Sequence, residues 1–265
     1  MLTADIDFEG AMIEPIGKST AFSGEFYGKN HKIGNFVVNS TERYTGLFGQ
    51  ISGGRVNGVR AEGTVTGAYA SSGSSTGTGG FAGQIGSQSL VDGCSFKGVV
   101  TNKTTYNAGG FVGRTEGAPV LLRCSYTGRV VHQANDKSNA GGFVGDHGGG
   151  YVMDCCAIAD VEAGNNGYAA GFAGNAGGRI ATSWCAGRVE TTGSNYKGAF
   201  AGGARQRDVF AVEAYAPAKA DDKSRMPFLE VFGDRPRQTC VLQAFVACWL
   251  FWALPVWIKY DIIST

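Results

Sequence analysis

Three aspartates in equivalent segments of the chain are the residues best suited to acid–base chemistry: Asp92, Asp154 and Asp160. Glycan lyases and hydrolases need two or three acids on one face, often with a basic residue beside them. Arg123 falls between Asp92 and Asp154 in the order of these segments, and Arg129 and Arg188 accompany them. A catalytic groove floor is one interpretation. The favoured one is a solvated face with charges of alternating sign.

Four cysteines occur in the same kind of segment in consecutive repeats, at Cys94, Cys124, Cys156 and Cys185. A zinc site needs ligands that converge tetrahedrally, usually from pairs at C-x-x-C-like spacing. The only close pair is Cys155-Cys156, whose side chains should face opposite sides of a strand. We therefore predict an inward row of small apolar side chains, with no structural metal and no cofactor. Disulfides between stacked repeats are the alternative in an oxidising compartment, although seven cysteines are an odd number.

The three histidines, His31, His132 and His147, form no H-E-x-x-H pair and no other close ligand spacing. No Gly-x-Ser-x-Gly elbow stands on a strand-to-helix turn, and the glycine run 148–150 lacks the Lys-Ser/Thr ending of a phosphate loop. The chain has 43 glycines, so chance matches to glycine motifs carry no weight. The sequence predicts no catalytic residue and a protein that is not an enzyme.

Tyrosine recurs just before a glycine-rich element in four repeats, at Tyr44, Tyr106, Tyr168 and Tyr196. Asparagine accompanies three of them, as Asn107, Asn166 and Asn195. Exposed tyrosines in a row with adjacent amides are suited to stacking on sugar rings or to contacting a protein partner. We predict a ligand-binding surface made by Tyr44, Tyr106, Asn107, Tyr168 and Tyr196. The alternative is that the rings cover the edge of each repeat and only help stacking.

One element positions all of these residues, a Gly-aromatic or aliphatic-x-Gly tetrapeptide that occurs six times. The copies are Gly46-Leu47-Phe48-Gly49, Gly80-Phe81-Ala82-Gly83, Gly110-Phe111-Val112-Gly113, Gly142-Phe143-Val144-Gly145, Gly171-Phe172-Ala173-Gly174 and a degenerate Ala199-Phe200-Ala201-Gly202. From Leu47 to Phe200 the central residues lie 34, 30, 32, 29 and 28 positions apart. A period in this range marks a repeat architecture, in which one supersecondary unit stacks on the next.

Each repeat has three parts: the Gly-Phe-x-Gly strand, a second strand after a glycine-rich corner, and a variable loop rich in Ser, Thr, Asn and Gly. The phenylalanine should point inward. In the second strands, alternation predicts an inward face made by Cys94, Phe96, Cys124, Tyr126, Cys156 and Ile158. So many glycines would cost about 1 kcal/mol each in helices, and a propeller blade needs about 40–50 residues. The sequence predicts an all-β chain, a parallel β-solenoid of about six coils.

The chain resembles the GLUG-repeat proteins, which are named for the Gly-Leu-x-Gly element. The matching residues are Glu14-Pro15-Ile16-Gly17, then Phe22-Ser23-Gly24-Glu25-Phe26-Tyr27-Gly28-Lys29-Asn30-His31-Lys32-Ile33, then Gly46-Leu47-Phe48-Gly49. The resemblance covers residues 5–215. It departs at Tyr27, where an acidic residue is common, and after the sixth repeat. It implies a right-handed β-helix-like repeat region in a bacterial protein that is exported or on the cell surface. In some relatives such regions adjoin adhesin domains or immunoglobulin-A-cleaving metallopeptidases. The resemblance implies no catalytic residue within the repeats.

Charge and terminal composition bound the remaining possibilities. The 23 basic and 22 acidic residues give a formal net charge of +1, which disfavours a nucleic-acid partner. Met1 is not followed by a basic and then an apolar stretch, so these residues contain no secretory leader, and we favour a fragment of a larger protein. Residues 241–258 form a hydrophobic run for which three interpretations stay open: a membrane-spanning helix, a helix that caps the solenoid, or an out-of-frame product.

The sequence thus divides into four regions: residues 1–45, an N-terminal cap and first coil segment; 46–216, the solenoid repeats; 217–240, a linker; and 241–258, the hydrophobic segment. The predicted function is a non-catalytic surface or secreted module that supports adhesion, with a glycan or a cell-surface protein as partner. Two alternatives remain, a carbohydrate-active β-helix enzyme and a spacer beside a catalytic domain such as a peptidase.

Overall fold

Short strands and tight corners alternate along the described part of the repeat region. The computed structural model describes residues 1–70, 76–103, 106–133, 138–164, 167–192, 196–204, 209–210 and 213–215. Every regular element within these ranges is a β-strand. The predicted linker, 217–240, and the predicted hydrophobic segment, 241–258, lie outside the described residues.

Three strands precede the first complete coil: β1 (Ile6–Asp7), β2 (Glu25–Tyr27) and β3 (Lys32–Ser40). The first three coils contain β4 (Tyr44–Thr45), β5 (Phe48–Ile51), β6 (Arg55–Asn57) and β7 (Arg60–Gly67); β8 (Gly77–Gly79), β9 (Ala82–Ile85), β10 (Leu90–Asp92) and β11 (Ser95–Asn102); and β12 (Asn107–Gly109), β13 (Val112–Thr115), β14 (Val120–Leu122) and β15 (Ser125–His132).

The last three coils repeat this order, with the final strand of the fifth coil split in two. They contain β16 (Asn139–Gly141), β17 (Val144–His147), β18 (Tyr151–Met153) and β19 (Cys156–Ala163); β20 (Tyr168–Ala170), β21 (Ala173–Ala176), β22 (Arg179–Ala181), β23 (Trp184–Ala186) and β24 (Val189–Thr191); and β25 (Tyr196–Gly198), β26 (Ala201–Ala204), β27 (Val209–Phe210) and β28 (Glu213–Tyr215).

Equivalent strands of successive coils pair in parallel and form four sheets. Sheet I contains the first strand of each coil (β4, β8, β12, β16, β20, β25), and sheet II contains the second (β5, β9, β13, β17, β21, β26). Sheet III contains the third strands together with β2, and sheet IV contains the fourth strands together with β1 and β3. The fold is therefore a parallel β-solenoid of six coils, which confirms the predicted fold class.

A column of stacked phenylalanine rings occupies the interior. Phe81, Phe111, Phe143, Phe172 and Phe200 lie in successive coils, with neighbouring ring centroids 4.7–4.9 Å apart and ring planes within 5–8° of parallel. Each ring is the central residue of its Gly-Phe-x-Gly copy, and all five are buried. The inward direction predicted for these side chains is confirmed. Stacked aromatic pairs contribute about 0.5–1.5 kcal/mol beyond the burial of their area.

The second glycine of each Gly-Phe-x-Gly copy is explained by a close approach of two backbones. A Cβ atom at Gly113 would lie 2.4 Å from the Thr78 nitrogen in the neighbouring coil, far inside van der Waals contact. The chain bends at Gly110-Phe111, between β12 and β13. The backbone of β13 therefore lies directly against β12 of its own coil and β8 of the coil before it. Only glycine permits this separation.

The predicted inward row of cysteines is observed with one difference, in the fourth coil. Cys94, Cys124 and Cys185 are buried as predicted, but Cys155, rather than Cys156, is the buried thiol of the fourth coil. Cys156 is half-buried, and Ile158, also predicted to face inward, is 45% exposed. The predicted inward direction was therefore wrong for these two residues.

The backbone corner before sheet IV explains that error. A residue with positive φ directly precedes the buried cysteine of the second, third and fourth coils: Gly93 (φ 60°), Arg123 (φ 50°) and Asp154 (φ 54°). The residue directly after this left-handed corner points inward, which in the fourth coil is Cys155. Burial raises the pKa of the Cys94 and Cys124 thiols well above the usual value.

The N-terminal segment lies against the first coil. β1 pairs in parallel with β3, and isolated bridges join Ile16 to Phe48 and Phe22 to Ile51. The ring of Phe22 also contacts that of Phe48, with centroids 5.5 Å apart. These contacts cover the first strand of sheet II, which would otherwise present unpaired backbone groups at the open end of a parallel sheet.

Candidate ligand-binding surface

The first residue of each strand in sheet I occupies one register position, and these residues form a row along the solenoid. In chain order the row is Tyr44, Gly77, Asn107, Asn139, Tyr168 and Tyr196. Tyr106 is not in this row, because it lies one residue before β12. The predicted tyrosines are therefore separated into one at the start of the row, two at its end and one beside it.

Tyr168 and Tyr196 are brought together in adjacent coils, and we call them the tyrosine pair. Their ring centroids are 5.2 Å apart and their planes differ by 29°. Tyr168 is 37% exposed and Tyr196 is 68% exposed. Rigid strands therefore hold two stacked aromatic rings at the surface, where the rings retain area that a ligand can bury at low cost in side-chain entropy.

Tyr44 lies in a different environment at the other end of the row. Its side chain is half-buried, and this burial is the main reason why the pKa of its hydroxyl is raised above the usual value. The guanidinium carbon of Arg43 lies 5.4 Å from the Tyr44 ring centroid. A ring covered in this way offers less free surface than the tyrosine pair.

Asn107 and Tyr106 contribute to coil stacking. Asn107 is only 1% exposed. Its Nδ2 donates to the Thr76 carbonyl oxygen at 2.8 Å, and its Oδ1 accepts a hydrogen bond from Asn139 Nδ2 at 2.9 Å. Tyr106 has a φ of 94°, and its carbonyl oxygen lies 2.7 Å from His132 Nε2. Of the five predicted site residues, only Tyr168 and Tyr196 lie close together at the surface. The associated Asn166 and Asn195 lie outside the described residues.

A second row of polar residues runs along sheet II beside the first, and sequence reasoning missed it. This polar row consists of Gln50, Gln84, Arg114, Asp146 and Asn175, with Gly203 at the next position. Each member directly follows the second glycine of a Gly-Phe-x-Gly copy. A polar residue at this fixed offset is therefore the sequence signal that identifies the row.

Hydrogen bonds along the solenoid axis connect the polar row. Gln50 Nε2 donates to Gln84 Oε1 at 2.7 Å, and Asn175 Nδ2 donates to Asp146 Oδ1 at 2.8 Å. The contact of Arg114 is weaker: its Nε lies 3.5 Å from Asp146 Oδ2, which is an ion-pair distance but too long for a hydrogen bond. The polar row is thus tightly bonded at its two ends and looser around Arg114.

The tyrosine pair and the polar row meet at Gly203. A Cβ atom at Gly203 would lie 3.0 Å from Cδ1 and Cε1 of Tyr168 and 3.2 Å from Asn175 Oδ1. The Tyr168 ring and the Asn175 amide therefore already occupy the room that a side chain at this position would need. The absence of a side chain at position 203 is thus what lets the Tyr168 ring pack against the polar row.

The candidate catalytic acids are bound to groups in neighbouring coils. Asp92 Oδ2 accepts a hydrogen bond from Arg123 at 2.5 Å, and Asp160 Oδ1 accepts one from the Arg188 backbone nitrogen at 3.1 Å. Asp154 accepts a hydrogen bond from the Thr182 hydroxyl. Of these three contacts, that of Asp92 with Arg123 pairs opposite charges, while Asp154 and Asp160 accept from a hydroxyl and a backbone nitrogen. The solvated face with charges of alternating sign stays a prediction.

The three histidines lie in different environments. His31 is partly exposed and its Nδ1 lies 3.0 Å from Asp5 Oδ1. His147 is fully buried, with its Nδ1 2.7 Å from Thr115 Oγ1, and burial lowers its pKa to about 4. Burial likewise lowers the pKa of His132. In the described part of the chain, no three His, Cys, Asp or Glu side chains are grouped so that they could hold a metal ion.

Comparison with known proteins adds little to this geometry. No protein-family model matches the chain, and no curated protein matches it. Among solved structures, it is similar to a putative immunoglobulin A1 protease from Bacteroides ovatus, with 16% sequence identity and a TM-score of 0.47. The alignment covers 82% of this chain and 76% of that one. An identity and a TM-score this low support no argument about function. Within the described ranges, the chain has no helix with the length and hydrophobicity needed to cross a membrane.

Proposed function

We propose that this chain is a non-catalytic repeat module that supports adhesion by presenting a ligand-binding surface, as part of a surface or secreted protein. The observation that carries the proposal is the tyrosine pair, two stacked rings that are 37% and 68% exposed on adjacent coils. Stacked rings of this kind on a rigid scaffold bind ligands without first having to be ordered.

The solenoid supplies the rigidity that such a surface needs. Parallel pairing joins β20 to β16 and β25, so the strands that hold Tyr168 and Tyr196 are bonded directly to each other and to the coil before them. The phenylalanine column continues beneath both strands, with Phe172 and Phe200 4.7 Å apart. The resemblance to GLUG-repeat proteins supports the expected location outside the cell.

The test is a binding comparison with a matched surface control. The full chain, fluorescently labelled, would be applied to arrays of polysaccharides and glycoproteins and to whole cells. Tyr151 is the control, because it is 39% exposed but lies in sheet III, with the Arg179 guanidinium carbon 5.6 Å from its ring centroid. Tyr151→Ala should leave binding unchanged. Tyr168→Ala with Tyr196→Ala should reduce affinity roughly a hundredfold, as loss of two aromatic contact residues does.

The two alternatives predict different results in the same experiment. A spacer would show no binding that depends on the tyrosine pair, and the double variant would then behave like the wild type. A carbohydrate-active enzyme would release shorter sugar chains from the arrayed polysaccharides, and variants of Asp92 or Asp154 would stop that release while binding persists. Either outcome contradicts the proposal.

A further inference from the structure

We propose that the outer face of sheet III is a self-association surface, which takes a second copy of this chain in antiparallel orientation. The inference goes beyond the proposed function, because this face lies on different strands from the tyrosine pair. It follows from the outward residues of sheet III, which are hydrophobic in the middle of the solenoid and carry opposite charges at its two ends.

The outward residues of sheet III form two columns along the solenoid axis. The strands β2, β6, β10, β14, β18 and β22 each have three residues, and the middle one points to the interior, as the fully buried Val91, Leu121 and Val152 show. The strands pair in register, so the two outer residues of each strand align with those of the next. The first column is Glu25, Arg55, Leu90, Val120, Tyr151 and Arg179, and the second is Tyr27, Asn57, Asp92, Leu122, Met153 and Ala181.

The middle of this face is a hydrophobic patch. Five large side chains from three successive coils retain solvent exposure there: Leu90, Val120, Leu122, Tyr151 and Met153. Tyr151 is the most exposed of them, at 39%. Register pairing makes these positions direct neighbours, so the patch is continuous. A continuous hydrophobic patch marks an interaction site, whereas single exposed hydrophobic residues do not.

A two-fold axis makes the first column complementary to itself. The axis lies in the plane of the interface, parallel to the strands, and passes between Leu90 and Val120. It places Leu90 of one copy against Val120 of the second copy. One coil further out, the Arg55 guanidinium faces the Tyr151 ring of the second copy, which is a favourable cation–π arrangement. The symmetry makes each contact twice.

The charges at the ends of the first column determine the orientation. In the antiparallel arrangement, the Glu25 carboxylate of each copy faces the Arg179 guanidinium of the other. Both side chains are exposed, and their described contacts are the Tyr27 hydroxyl, at 2.9 Å from Glu25, and the Tyr151 ring beside Arg179. An axis along the solenoid would instead place Arg55 beside its own counterpart, with no opposite charges facing each other. The ion pairs therefore favour the antiparallel dimer.

The second column and the size of the face limit the strength of the dimer. The two-fold axis places Asp92 against Leu122 of the second copy. Asp92 Oδ2 accepts a hydrogen bond from Arg123 at 2.5 Å, and covering this ion pair offsets part of the hydrophobic gain. The six coil positions span about 24 Å at a spacing of about 4.8 Å. A strip of this length and two columns wide falls short of the roughly 800 Å² that each partner buries in a standard interface, so we expect a Kd of about 10–100 μM.

The experiment is sedimentation velocity of the full chain between about 1 and 300 μM, a range that brackets the expected Kd. Val120→Lys places a charge at the centre of the face. Thr127→Lys is the matched control, because Thr127 is exposed on β15 of the same coil but belongs to sheet IV. Charge reversal tests the orientation, with Glu25→Arg, Arg179→Glu and the double variant. These two residues are exposed, so the reversal series is informative even if Val120→Lys does not fold. Circular dichroism verifies the fold of each variant.

We expect the wild type and Thr127→Lys to dimerise equally and Val120→Lys to stay monomeric. Each single charge reversal should raise the Kd about tenfold, because two symmetry-related ion pairs become repulsive. The double variant should return to within about twofold of the wild-type Kd, because it restores both pairs with their signs exchanged. At the submicromolar concentrations of a labelled-chain binding assay the protein is monomeric, so Tyr151→Ala remains a valid control for the tyrosine pair.

Three results would overturn the inference. If the full chain stays monomeric at the highest concentration, a second copy is not the occupant of this face, even where Val120→Lys blocks the binding of some other protein. If Val120→Lys dimerises as well as the wild type, the contact between copies lies elsewhere. If the single reversals have no effect, or the double variant does not recover, the copies do not meet in antiparallel orientation. The proposed function stands in each case, since it depends on sheet I.

Discussion

The junction between sheets I and II has the same strand pairing along the solenoid, but its surface differs between two halves. We call the second and third coils the buried half and the fifth and sixth coils the exposed half. In the second and third coils, Gln84 and Asn107 are 2% and 1% exposed, and their amides connect neighbouring coils. In the fifth and sixth coils, Tyr168 and Tyr196 occupy the same register position as Asn107 and are exposed. The register position of a residue in a solenoid therefore sets the direction of its side chain. The side chains around it then determine whether that side chain is exposed to solvent.

The largest expected effect concerns the core that both halves share. Phe111 lies beneath the buried half, with ring neighbours at 4.7 and 4.9 Å, and Phe172 lies beneath the exposed half, with neighbours at 4.9 and 4.7 Å. We expect Phe111→Ala and Phe172→Ala each to lower the free energy of unfolding by about 3–5 kcal/mol, because each leaves a cavity between two rings. Urea unfolding measures both. A difference of more than about 1.5 kcal/mol between them would show that the halves also differ in their cores.

The second prediction concerns pH. The pKa of His147 is about 4 in the folded chain, against 6.5 for an exposed histidine, because its burial disfavours the charged form. A group whose folded pKa is depressed stabilises the fold above its unfolded pKa, and this contribution is lost as pH falls toward the folded value. Stability should therefore fall by on the order of 3 kcal/mol between pH 6.5 and pH 4 on account of His147.

Urea unfolding at pH 7 and at pH 4.5, with His147→Gln for comparison, measures this loss. His132, near the buried half, has a pKa lowered for the same reason and contributes in the same direction. The variant should therefore lose less stability on acidification than the wild type while retaining part of the effect. Equal pH dependence in the two proteins would contradict the prediction.

The smallest expected effect separates the two halves directly. Asn107→Ala should lower the free energy of unfolding by about 1–3 kcal/mol, because it removes the buried hydrogen bonds that Asn107 makes with the Thr76 carbonyl oxygen and the Asn139 amide. Tyr196→Ala should change it by less than about 0.5 kcal/mol, since the ring is 68% exposed. Thermal unfolding of both variants measures the contrast. Similar losses for the two would mean that the tyrosine pair also serves stacking, as the alternative interpretation holds.

Much of the fold follows from local patterns in the sequence. The period of the element predicts the number of coils, because each copy makes one corner with a buried apolar residue at its centre, Leu47 in the first copy and phenylalanine in the other five. Alternation correctly predicts Cys94 and Cys124 as inward, and it fails at Cys156 because Ile158 suggests the wrong face. The left-handed corner at Asp154 sets that face, and an aspartate does not reveal such a φ in the way that Gly93 does.

The candidate site could be predicted only in part. Tyrosine before each element is visible in the sequence, but Tyr106 and Tyr168 differ by one residue in register, and that difference removes Tyr106 from the row. The polar row was also visible, as the residue that follows each element, yet nothing local indicates that Asn175 and Tyr168 meet above Gly203. That meeting depends on pairing between residues about one coil apart.

The sequence by itself determined the coil, its glycine corners and its column of phenylalanines, because backbone angles and side-chain alternation are properties of a few consecutive residues. Only the tertiary structure decided which chemically capable side chains hold coils together and which remain at the surface. Asn107 is buried and Tyr196 is exposed at one shared position, and the cause in each case is the set of side chains from adjoining coils. The solvent exposure of a side chain depends on residues about one coil away in the sequence, so it cannot be predicted from a few consecutive residues.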